Sequence, residues 1–213
     1  MIFNGLQNVS QNIMTKLPIT LIYSRLAIGP TIILLSIKQV DNYKFIAVLL
    51  LSIGFLTDIF DGIIARRLNV STQTLSRLDS TIDEIFFISF AVATYIQCPD
   101  FFRANFLKLT ILFGSEGLTY LVSFLKFGKE IATHSIGAKI WSLLLFATLV
   151  QIILQCQSVA LFNICFWVGL LTRLEITAII LTLKKWQNDV PTIYHSVKLG
   201  QGKEIKRHKT FYG

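Results

Sequence analysis

Six stretches of mostly apolar residues, roughly 18–37, 43–65, 77–97, 105–126, 136–156 and 160–183, take up most of a chain of 213 residues. A helix needs about 20 such residues to cross a bilayer, and each stretch has that length. The connections between them are short, and no region remains for a soluble domain. The expected fold is therefore all-α and integral to the membrane, with six transmembrane helices and a short N-terminal interfacial segment. Composition agrees: 15% of the residues are charged, where soluble chains carry about 25%. Disordered, collagen-like and disulfide-rich secreted chains are excluded on the same ground.

Three parts are expected: residues 1–16 as a juxtamembrane segment, 17–184 as the six-helix membrane domain, and 185–213 as a basic tail. The first lacks the basic start and cleavage site of a signal peptide and reads either as a weak amphipathic helix or as a polar lead-in. Cys98, Cys156 and Cys165 have no metal-ligand spacing. All three are expected as small apolar fillers, with a Cys98–Cys156 bridge as the minor alternative.

Basic residues retained on the cytoplasmic side orient a membrane protein. With the N-terminus inside, Lys16, Arg25, Arg66, Arg67, Arg77, Lys126, Lys129, Lys139 and the seven basic residues of the tail fall at the inner side. Lys38, Lys44, Arg103 and Lys108 fall outside, and Arg173 lies within the last span. Both termini are thus expected in the cytoplasm. The net charge of +8 points to an anionic membrane surface as partner rather than to nucleic acid. The tail from Lys184 to Lys209 is either an orientation signal or a strip bound to anionic lipid. Trp141, Trp186 and the tyrosines fit an interfacial aromatic belt, and His134 and His195 read as interface residues.

The acidic residues carry the chemistry. Asp58 and Asp61 close the second span, and Asp79 and Asp83 open the third. A carboxylate at membrane depth costs about 2.5–3.5 kcal/mol on insertion scales, so such residues mark function. Asp58, Asp61, Gly62, Ala65 and Arg66 share one stripe of a helix, and Asp79 and Asp83 share a face of the next. Four converging carboxylates cannot all ionise unaided. One or two hard divalent cations would supply the missing charge and accept oxygen ligands. Small residues at 62 and 65 keep the face low for a phosphate-bearing ligand, with Arg66 as its partner. This is the layout of a metal-assisted phosphoryl-transfer site.

The run Asp58-Ile-Phe-Asp61-Gly62-Ile-Ile-Ala65-Arg66, followed by Asp79 and Asp83, resembles the signature of the CDP-alcohol phosphatidyltransferases, D-x2-D-G-x2-A-R-x8-G-x3-D-x3-D. Seven of its eight fixed positions match; Leu75 stands at the second glycine, and Glu84 where a lysine often follows the last aspartate. Pro18, Leu21, Arg25 and Pro30, with Glu116-Gly117-Leu118 and the stretch from His134 to Lys139, resemble in part the phosphatidylglycerophosphate synthases of that family. The resemblance implies six membrane helices, Mg²⁺ or Mn²⁺ held by Asp58, Asp61 and Asp79, and Asp83 as a further ligand and as the catalytic base. It implies CDP binding by Asp58, Gly62, Ala65 and Arg66. It also implies CDP-diacylglycerol as donor, release of CMP, and homodimers by analogy.

A phosphorylated acceptor needs a basic pocket beside the metal, for which Arg25, Lys139 and Arg173 are the candidates. Arg173 alternatively pairs with Glu175, and Glu116 with Arg25 or Lys139. Glycerol 3-phosphate is the preferred acceptor; serine, inositol, inositol phosphate, choline and phosphatidylglycerol are the alternatives. Two further readings stay open: a catalytically degenerate family member, through Leu75, and a divalent-cation-binding or transporting protein. A bacterial inner (plasma) membrane is the expected location.

Overall fold

The computed structural model describes residues 2–68, 70, 72–129, 135–187 and 190–201. Within them every regular element is helical: α1 Ile2–Ile37, α2 Tyr43–Arg67, α3 Gln73–Gln97, α4 Pro99–Ala104, α5 Phe106–Phe127, α6 Ile136–Gln155, α7 Ala160–Thr182 and α8 Ile193–Gly200. Leu17–Ile37, Tyr43–Arg67, Ile136–Gln155 and Ala160–Thr182 are long and apolar enough to cross a bilayer. α3 and α5 are long enough, with 25 and 22 residues, but they carry Asp79, Asp83 and Glu84, and Lys108 and Glu116. Among the described residues, four of the six expected spans therefore qualify by composition, and the two that do not are the ones burdened with charge. Apolar side chains stand exposed along these helices, including Phe45, Leu118, Leu125, Trp167 and Leu174, as lipid-facing surfaces require. The chain is an integral membrane protein.

The described residues fall into two compact units, residues 2–96 with α1 to α3 and residues 97–201 with α4 to α8. In the first unit α1 runs through the expected boundary after residue 16 without a break, past Pro18 and Pro30. The turn into α2 uses left-handed backbone at Gln39 and Asn42, with φ 47° and 59°, a conformation that asparagine tolerates. α3 lies against both of its partners. Ser36 Oγ of α1 donates to the Ala93 carbonyl at 2.8 Å. Gly54 of α2 receives the ring of Phe86, which the Cβ of any other residue would strike. These contacts set the register that brings the lower halves of α1, α2 and α3 together.

In the second unit one end is closed by a bond the sequence placed second. Cys98 and Cys156 are joined by a disulfide, so two of the three expected fillers are cross-linked; Cys165, free and buried, is the third. Around the bridge, Cys98, Phe101, Ile152 and Phe162 form a buried cluster. The reason is local. Pro99 starts α4 at its first turn, which turns Phe101 inward, and Cys156 ends α6 in a left-handed cap. At the opposite end α8 packs through Leu199 onto Ile179, Leu183 and Val190. Part of the expected basic tail is thus a docked helix; residues 202–213, and His134, lie outside the described residues.

Candidate active site

Spacings of three and four residues put Asp58 with Asp61, and Asp79 with Asp83, on single helix faces. The register of the first unit turns both faces toward Arg25 of α1. Arg25 is the one charged residue in the apolar stretch 18–37, and its side chain is fully buried. Nη1 contacts Asp58 Oδ1 at 3.1 Å and forms an ion pair with Asp83. Nη2 donates to Asp79 Oδ1 at 2.6 Å and to Asp61. Two nitrogens with two hydrogens each therefore face four carboxylates, and Nε has no hydrogen-bond partner. Asp61 is 2% exposed, whereas Asp58, Asp79 and Asp83 are 30%, 21% and 24% exposed. The cluster has one deep acid and three that can be reached from outside the unit.

Carboxylate oxygens of Asp58, Asp61 and Asp79 all lie within 4.8 Å of one another. That span suits a shared hard cation, whose oxygen ligands stand 2.0–2.6 Å from it. Charge supports the fit. Four ionised carboxylates against one guanidinium leave an excess of three negative charges at a site with a buried member, and divalent ions bound by oxygen remove such an excess. Asp83 stands outside the convergent trio.

One turn beyond Asp58, Gly62 and Ala65 divide their work. Ala65 is buried and its carbonyl accepts from the Val70 amide, which closes the turn at the end of α2. Gly62 is partly exposed, and the Arg66 guanidinium folds over it, with Nη1 3.4 Å from where a Cβ would sit. A bare backbone patch covered by a cation is suited to a phosphate group. Leu75 sits in the first turn of α3, where its amide donates to Thr72 Oγ1 at 3.1 Å. That helix start forms without the glycine of the family pattern.

The other expected cations belong to the second unit. Arg173 of α7 is buried and paired through Nε with Glu116 of α5, while its guanidinium lies 4.2 Å from the ring centroid of Trp141. Glu116 as the partner of Arg173 was not among the pairings expected, which were Glu175 for Arg173 and Arg25 or Lys139 for Glu116. Nearby, Thr119 and Thr177 hydroxyls meet at 3.1 Å. Lys139 is exposed in the first turn of α6, whose start is capped by Ser135 accepting from the Ala138 amide. Gly137 between them lets α7 approach, a Cβ there standing 2.7 Å from Glu175 Oε2. Sequence reasoning assigned Arg25 to the acceptor and missed its four aspartates. The available signal was charge balance: a lone arginine in an apolar span requires carboxylates, and the neighbouring spans held a surplus of them.

The family model for CDP-alcohol phosphatidyltransferases matches residues 15–181, while no curated protein and no solved structure gives a match. The chain belongs to that family. Its members are phosphotransferases for substituted phosphate groups, and they move a phosphatidyl group from a CDP-alcohol to an alcohol acceptor. They use a divalent metal, and the trio of Asp58, Asp61 and Asp79 can bind one.

Proposed function

From membership of the CDP-alcohol phosphatidyltransferases, we propose that the protein makes a phospholipid by transferring the phosphatidyl group of CDP-diacylglycerol to glycerol 3-phosphate, releasing CMP. The observation that carries this reading is the convergence of Asp58, Asp61 and Asp79 from two helices of one unit, with Asp83 beside them on Arg25. Asp58, Asp61 and Asp79 hold Mg²⁺ or Mn²⁺, with Asp83 adjacent. When bound there, such an ion supplies positive charge against the pyrophosphate and the leaving CMP.

The protein's own groups do the rest. Arg66, folded over Gly62, binds a donor phosphate, with Asp58 and the Ala65 turn completing the CDP contact. Asp83 takes the proton of the acceptor hydroxyl. The freed oxygen attacks the phosphorus bonded to the diacylglycerol, a new P–O bond forms, and the bond to CMP breaks with its electrons leaving on CMP. Lys139, exposed and basic, is the favoured contact for the acceptor's phosphate. Arg25 and Arg173 already have carboxylates beside them and balance charge, each within its own unit. All six apolar helices cross the membrane, residues 17–184 form the membrane domain, both termini are cytoplasmic, and two copies associate. A bacterial inner membrane fits this arrangement.

Purified protein in detergent with CDP-diacylglycerol, glycerol 3-phosphate and Mn²⁺ should release CMP and form phosphatidylglycerophosphate, and EDTA should stop both. Release of CMP with serine or inositol but not with glycerol 3-phosphate would move the acceptor assignment. No CMP with any acceptor would end the transferase reading.

A further inference from the structure

Arg25 has a fully buried side chain whose two terminal nitrogens are shared among Asp58, Asp61, Asp79 and Asp83. Three of those acids are the ones whose oxygens converge on a candidate cation position. A guanidinium and a divalent ion therefore seek the same lone pairs. We propose that Arg25 is a positioning residue that acts as the built-in competitor of the metal: it holds the four carboxylates converged, and a divalent ion binds by taking over part of its contacts. The inference rests on the metal reading given above.

The argument is one of charge and donor count. Four carboxylates this close repel one another strongly in a low-dielectric setting and need a cation to stay together. Arg25 supplies one positive charge spread over a planar fork, fixed to α1 and unable to deprotonate. Its four terminal N–H groups match the four carboxylates, so each contact is a single one that an incoming ion can replace singly. Nε gains nothing from the present arrangement, since it is buried and has no partner. A permanent positive charge beside the ligands also opposes a second cation. Metal affinity is thus held below what the same oxygens would give alone.

The test is Mn²⁺ binding, measured by isothermal titration and by the free-Mn²⁺ EPR signal, on wild type, Arg25→Gln and Arg25→Lys in detergent. The expected result is a Kd for Arg25→Gln lower by about tenfold or more, which is about 1.4 kcal/mol, with Arg25→Lys in between. Thermal unfolding in EDTA should show Arg25→Gln less stable than wild type, and saturating Mn²⁺ should restore it. Unchanged or weaker Mn²⁺ binding in Arg25→Gln would overturn the proposal, as would a variant that fails to fold even with Mn²⁺ present, because the ion should replace the lost cation. If Arg25→Gln folds only with Mn²⁺, the proposal is supported. Wild type that binds no Mn²⁺ would overturn the metal reading itself and this inference with it, an outcome separate from a wild type that binds and a variant that binds no tighter.

Discussion

At the scale of single residues, the site is a balance between buried negative charge and the cations that meet it. Asp83→Asn should lower turnover by about 10² to 10⁴, the usual range for a lost general base, while Mn²⁺ binding by titration persists. Undiminished CMP release would remove the base role. Arg173 and Glu116 form a second charge pair inside the second unit. Removing one partner of such a pair costs about 3–5 kcal/mol, whereas replacing both by apolar residues is often neutral. Arg173→Met and Glu116→Leu should each lower the unfolding temperature, and the double variant should recover most of the loss. The aspartates were legible in the sequence because intervals of three and four residues are a property of one helix. The partners of Arg25 and Arg173 were not, because they lie 33 to 58 and 57 positions away, and only the packing of helices decides which acid a buried arginine meets.

At the scale of elements, α2 and α3 matter because each carries two of the acids at the same end. Their approach depends on Gly54, which lies under the ring of Phe86 one turn before Asp58. Gly54→Leu should cost about 1–3 kcal/mol through overpacking, seen as a lower melting temperature. It should also weaken Mn²⁺ binding, since a displaced α2 moves Asp58 and Asp61 away from Asp79. An unchanged affinity would show that the carboxylates adjust independently of that contact. The long helices could be read from apolar stretches alone, to within a few residues at most of their ends. α4 and α8 could not. They have six and eight residues, too few for periodicity to show, and they are held by tertiary contacts of Phe101 and Leu199.

At the scale of the whole molecule, the charges and the cross-link agree on a direction. In the second unit the Cys98–Cys156 end carries Arg103 and Lys108, while the other end carries Lys126, Lys129, Lys139, Lys184, Lys185 and Lys198. The proposed outer face is therefore also the face where an oxidising compartment would keep a disulfide. The sequence ranked the bond low, because two cysteines 58 residues apart reveal their proximity only once α4 turns inward. Replacing both by serine should lower stability by about 2–4 kcal/mol, read as a shift in thermal unfolding that reductant reproduces in wild type. Equal melting of wild type with and without reductant would count against a structural role.

The staple at Cys98 and Cys156 also shapes how this half of the protein can breathe. The starts of α5 and α7 and the finish of α6 are gathered there, so whatever spreading these helices undergo has a fixed pivot and grows toward the far tips. Those tips end in lysines, at the depth where headgroups sit in the proposed orientation.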